Sequence, residues 1–124
     1  MNERDKTIRF LAIRECGCIA CRIFGVPGIV PTQIHHLNFG DKHGGKRLGD
    51  EFTVGLCPWH HQGYPINNLL PGQCRQMLGP SWELEPNAFR ERFGNGEVLL
   101  AYQNNLLAAW HGSIVRGFDG GTGQ

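Results

Sequence analysis

Residues 52–61, Phe52-Thr53-Val54-Gly55-Leu56-Cys57-Pro58-Trp59-His60-His61, decide how this chain is read. The first five alternate and favour extended backbone, so they read as a strand. Cys57-Pro58 then opens a short helix, since proline is well suited to an early helical position. Cys57 and His60 stand three apart, half of a zinc-binding pair. The other half lies upstream, at Cys18 and Cys21 in Cys18-Ile19-Ala20-Cys21. Between the halves runs Gln33 to Leu37, a second short strand that carries the doublet His35-His36. Two knuckles flanking a hairpin can converge on one ion, and four sulfur and imidazole donors make a closed, structural zinc site.

The bulk properties agree with a metal-held fold. The chain has 124 residues, including eighteen glycines, seven prolines, five cysteines and six histidines. A loop-rich domain of this size gains much from a staple. An odd cysteine number, no signal peptide and no membrane-length apolar run point to a reducing cytoplasm, where a CxxC pair is a metal site rather than a disulfide. Formal net charge is only +1, so any nucleic-acid contact must come from a local patch or from a bound ion. Cys16 competes with Cys18 within Cys16-Gly17-Cys18-Ile19-Ala20-Cys21. Cys74 has no partner at ligand spacing and reads as a core thiol, and His111 reads as a surface residue.

Outward from this centre, Asn2–Glu15 reads as a helix with Ile8, Leu11, Ala12 and Glu15 at helical spacing, stopped at Gly17. Asn38–Asp50 is polar and glycine-rich, a mobile loop. Helices are expected over Gly72–Leu78, Asn87–Phe93 and Glu97–Trp110, and the glycine-rich end reads as disordered. The expected organisation is α+β, with one domain over 1–116, a zinc-stabilised core over 16–65, a helical extension over 72–111 and a disordered tail over 117–124.

The two histidine doublets carry the chemistry. Adjacent strand residues face opposite ways, so His35 and His36 divide two roles unless the strand ends there. If His60 completes the zinc site, His61 is free to meet His35 across the hairpin. Two imidazoles would then hold a second ion, with a third imidazole left as a base. Phosphodiester hydrolysis needs an activated water and neutralisation of charge on the phosphate, and imidazole and a divalent ion supply these.

The order CxxC, strand ending in HH, glycine-rich loop, strand, LCxxHH resembles the HNH (ββα-metal, or His-Me finger) endonucleases. The longer runs GCIACRIFGVPG, IHHLNFG, GLCPWHHQG and LGPSWELEPNAFRERFG are similar to the phage recombination-enhancement nucleases, the Ref family, over roughly Cys16 to Leu107. The resemblance implies a metal-dependent DNA endonuclease with flanking helices, in phage DNA recombination or processing within the bacterial host cytoplasm. It makes His36 the general base and His35 and His61 the ligands of a catalytic Mg²⁺ or similar ion. Cys18, Cys21, Cys57 and His60 become the structural Zn²⁺ ligands. It also implies DNA, and a RecA-type filament, as partners. HNH proteins usually carry Asn at the start of the second strand; here Gly49-Asp50-Glu51-Phe52-Thr53 has none, and Asp50, Glu51 or Thr53 would have to tie down the loop. Lys42, Lys46 and Arg47 in the loop are the expected phosphate contacts, with Arg75, Arg90 and Arg92 on later segments. The competing readings are a non-catalytic zinc module that binds DNA or a recombination protein, and a zinc hydrolase of another substrate, which would need an open three-ligand zinc site. Oligomeric state is not legible in the sequence.

Overall fold

The structure is a computed structural model that describes residues 1–38 and 48–123, with side chains described through residue 112. In chain order the elements are α1 (Glu3–Cys16), α2 (Ile19–Phe24), β1 (Gln33–His36), β2 (Thr53–Leu56), α3 (Pro58–Gln62), α4 (Pro71–Leu78), α5 (Pro86–Phe93) and α6 (Gly96–Gly123). Among the described residues the protein is thus a set of helices around one small two-stranded sheet.

Helix α1 starts where Asn2 caps it: its side chain accepts from the Asp5 N–H at 2.8 Å. Such caps typically contribute about 1 kcal/mol. The helix ends at Gly17, whose φ of 78° is left-handed and where a Cβ would meet the Val30 carbonyl at 2.8 Å. The buried face of α1 agrees with the expected one at Ala12 and departs from it at Ile8 and Leu11. Ala12, Ile13 and Cys16 are buried, whereas Ile8 and Leu11 are 48% and 53% exposed. The hairpin and α6 pack against the Ile13 side of the helix, and helical spacing alone could not choose between two partly apolar faces.

β1 and β2 pair antiparallel, with Gln33 opposite Leu56, Ile34 opposite Gly55, His35 opposite Val54 and His36 opposite Thr53. Every residue of β2 is buried. Gly55 is required by close approach, since a Cβ there would lie 2.8 Å from Ile13 Cγ2 and 3.1 Å from the Gly17 carbonyl. The Gly55 N–H donates to Gln103 Oε1 of α6 at 2.8 Å. That bond satisfies a main-chain donor that would otherwise be buried without a partner. The core joins the hairpin to the helices through Ile19, Leu37, Val54, Leu56, Trp59, Leu78, Phe89, Phe93 and Leu99.

The three later helices match expectation to within one residue at α4, α5 and the start of α6. At its far end α6 continues to Gly123, through the segment expected to be a disordered tail. Among the described residues no helix is long and apolar enough to cross a membrane.

Candidate functional site

The two knuckles are built alike. Cys18 is the N-cap of α2 and its sulfur accepts from the Cys21 N–H at 3.4 Å. Cys57 is the N-cap of α3 and its sulfur accepts from the His60 N–H at 3.5 Å. Each short helix then turns out through a left-handed glycine, Gly25 or Gly63.

The fold brings Cys18, Cys21, Cys57 and His60 together, all buried, with their donor atoms within 4.8 Å of one another. His60 Nδ1 lies 3.4, 3.5 and 3.3 Å from the sulfurs of Cys18, Cys21 and Cys57, and the Cys21 and Cys57 sulfurs are 3.9 Å apart. A tetrahedral zinc with the usual bond lengths sets sulfur and nitrogen donors about 3.5–3.8 Å apart, so the four side chains fit such an ion. The tautomer fits too. His60 Nε2 is 2.7 Å from the Leu78 carbonyl, which can only accept, so Nε2 carries the proton and Nδ1 keeps its lone pair for a metal.

The electrostatics of the cluster also call for a cation. Hydrogen bonds from Cys18 and Cys21 push the Cys57 thiol strongly down, against its burial. Burial works to lower His60, yet the Cys18 and Cys57 sulfurs outweigh it and push the imidazole up to about 10. The competition between Cys16 and Cys18 is resolved. Cys16 is buried, its carbonyl accepts from Arg22 Nε at 3.0 Å, and it is not among the four. Cys74 is a buried core residue, and His111 borders a cleft between α1 and α6 with Met1, Ile8 and Trp110.

A second constellation lies on one face of β1. Gln33 and His35, two apart, share that face, and both meet His61 of α3. The rings of His35 and His61 are 4.7 Å apart between centroids at 74°. His61 Nδ1 lies 2.8 Å from Gln33 Oε1, so its N–H donates there and Nε2 keeps its lone pair, with no hydrogen bond among the described residues. His35 Nε2 is buried with no hydrogen-bond partner among the described residues. Burial first, then the neighbouring His61 and His36, hold the His35 imidazole down at about 4, so it is neutral at physiological pH. Burial also lowers His61, with Glu83 and Cys57 opposing.

These rings border a cleft of about 370 Å³ lined by His35, His61, Gln62, Tyr64, Trp82 and Glu83. The Trp82 ring packs on His35 at 4.9 Å between centroids, and the Trp82 main-chain N–H donates to the His60 carbonyl at 2.8 Å, which docks this turn on α3. An unpartnered buried imidazole nitrogen beside a second bare one suits a divalent cation. Among the described residues no third donor of the His, Cys or acidic type closes on this pair as the fourfold cluster does.

His36 lies on the other face of the strand. The three imidazoles were expected in one pocket, and the structure brings two of them together. Strand alternation turns His36 toward α1, where it meets Phe10 edge-on at 6.2 Å. Its Nε2 lies 2.9 Å from Asp50 Oδ1. Because a carboxylate only accepts, Nε2 is the protonated nitrogen and Nδ1 the basic one. Asp50 is therefore the residue, of the three considered, that reaches the doublet directly.

Lys42, Lys46 and Arg47 lie outside the described residues. Arg75 is engaged in an ion pair with Glu85 at 2.6 Å. Arg92 stacks over Phe24 and Phe93 at 4.8 and 5.4 Å. Sequence reasoning missed Gln33, Trp82 and Glu83. Gln33 alone had a local signal, since it is two residues from His35 and shares its face.

A family model described as recombination enhancement, RecA-dependent nuclease, matches residues 3–108. No similar curated protein and no similar solved structure was found.

Proposed function

Because the chain belongs to the family of recombination-enhancement, RecA-dependent nucleases, we propose that it is a metal-dependent DNA endonuclease of the HNH type that acts on DNA held in a RecA filament. The observation that carries the reading is the His35–His61 pair, two neutral imidazoles with bare nitrogens at the edge of a cleft. The order β1, β2, α3, with a thiol and imidazole cluster pinning the hairpin to the helix, supports a ββα-metal core.

In this reading Cys18, Cys21, Cys57 and His60 hold a structural zinc, and His35 and His61 would hold the catalytic ion through Nε2. When bound, that ion supplies the charge that stabilises the pentavalent phosphate and the departing 3′ oxygen. Gln33 holds the His61 ring by accepting its Nδ1 proton. β1 ends at His36, and from that end, rather than from the face that carries His35, the ring would take the proton of an attacking water at Nδ1, while Asp50 keeps Nε2 protonated and stabilises the imidazolium that forms. The products carry 5′ phosphates. Lys42, Lys46 and Arg47 would grip phosphates beside the cut. Such contacts give affinity without reading sequence.

The test is a strand-cleavage assay on duplex DNA paired within a RecA filament, with Mg²⁺ or Mn²⁺, comparing wild type with His36→Ala and His35→Ala. Loss of about a hundredfold or more in turnover is expected for His36→Ala. His35→Ala is expected to lose Mn²⁺ binding as well as cleavage. Wild-type cleavage by His36→Ala would remove the proposed base. DNA or RecA binding without cleavage in any divalent ion would leave the non-catalytic zinc module instead.

A further inference from the structure

The orientation of His36 depends on contacts that begin on another element. Its Nε2–H donates to Asp50 Oδ1 at 2.9 Å, and the Asp50 main-chain carbonyl accepts from Thr53 Oγ1 at 2.7 Å. The Thr53 hydroxyl in turn accepts from Arg9 Nε at 2.9 Å, and the Thr53 carbonyl accepts from Arg9 Nη2 at 2.6 Å. The third arm of the guanidinium, Nη1, donates to Asn104 Oδ1 of α6 at 2.9 Å.

Each bond in this chain has a fixed direction. Arg9 only donates, so the Thr53 oxygen must accept from it. The single hydroxyl proton of Thr53 is then free to go to the Asp50 carbonyl. The Asp50 carboxylate only accepts, so the His36 proton must sit on Nε2. Thr53 is fully buried, and a hydroxyl there is costly to bury unless both its roles are filled. Lys6 Nζ, also on α1, lies 3.9 Å from Asp50 Oδ2 and adds positive charge on the same side. Three nitrogens of one planar guanidinium are used at once, two on Thr53 and one on Asn104, which a lysine ammonium cannot reproduce.

We propose that Arg9 and Thr53 are positioning residues for catalysis: together they brace the Asp50 turn so that its carboxylate locks the His36 ring in the tautomer with a bare, basic Nδ1. On this account α1 is part of the catalytic apparatus, and it performs the loop-fixing role for which the start of β2 offers no asparagine. The proposal rests on the reading of His36 as the base.

Long-range ¹H–¹⁵N spectra of the zinc-loaded, ¹⁵N-histidine-labelled chain report the His36 tautomer directly. They are to be recorded for wild type, Thr53→Ser, Thr53→Val and Arg9→Lys, alongside turnover on RecA-paired DNA. Wild type and Thr53→Ser are expected to show the single Nε2–H form with equal turnover. Thr53→Val, which keeps shape but loses the hydroxyl, and Arg9→Lys are expected to show mixed tautomers. Their kcat is expected to fall about ten- to a hundredfold with KM unchanged. A single Nε2–H tautomer in Thr53→Val would overturn the proposal. Failure of Thr53→Val to fold would also overturn it, by making the brace purely structural. Wild-type cleavage by His36→Ala would instead remove the base reading, while the tautomer spectra judge the brace separately.

Discussion

His35 shows how one residue's surroundings set its chemistry. Folding removes it from water and places His61 beside it, so its imidazole titrates at about 4, below the ordinary 6.5. Between those values the unfolded chain takes up a proton that the folded chain refuses. Stability should therefore be fully present above pH 6.5 and fall as pH drops toward 4, by up to about 3 kcal/mol from this group. Urea titrations at several pH values, without added divalent ions, check this, and His35→Phe should flatten the slope in that window. The four donors of the cluster were legible because they come in two pairs, Cys18/Cys21 and Cys57/His60, each at a spacing that one short helical turn imposes. Asp50 and Gln33 were harder to find: Asp50 lies across a turn from His36, and Gln33 works only because α3 returns His61 to the same strand face. Trp82 and Glu83 had no local signal at all, since a main-chain bond from Trp82 to His60 is what brings their turn to the cleft.

Among the elements, the hairpin is the most tightly specified. β2 is buried along its whole length, and Gly55 sits where α1, its terminating loop and the Gln103 side chain all press on the sheet. Gly55→Ala is expected to destabilise the chain by about 1–3 kcal/mol through overpacking, measured as a lower urea midpoint with an unchanged slope. Gln103→Leu, which strands the Gly55 N–H in the core, should cost about as much, 1–3 kcal/mol. The strands and the later helices were legible because alternation, proline starts and glycine stops mark them locally. The inward face of α1 was legible only at Ala12. Ile8 and Leu11 had the better apolar spacing, yet the partners of this helix pack on Ala12, Ile13 and Cys16. Which face is buried depends on where distant elements land.

For the whole molecule, the fourfold cluster joins the N-terminal third of the chain to the hairpin and to α3. A structural zinc in such a site contributes on the order of 10 kcal/mol, comparable to the whole stability of a small domain. Stripping the metal with a strong chelator is expected to abolish cooperative unfolding and collapse the dispersion of the amide spectrum. Withholding Mg²⁺ should leave both intact. Cys57→Ser is expected to lose the bound zinc, and Cys16→Ser to keep one equivalent, by elemental analysis. His60 and His61 are neighbours on a single helical turn, so the ring that closes the cluster fixes where the next ring goes. On the proposed reading, a newly made chain whose cluster has not yet taken up its zinc would therefore lack the assembled His35–His61 pair as well.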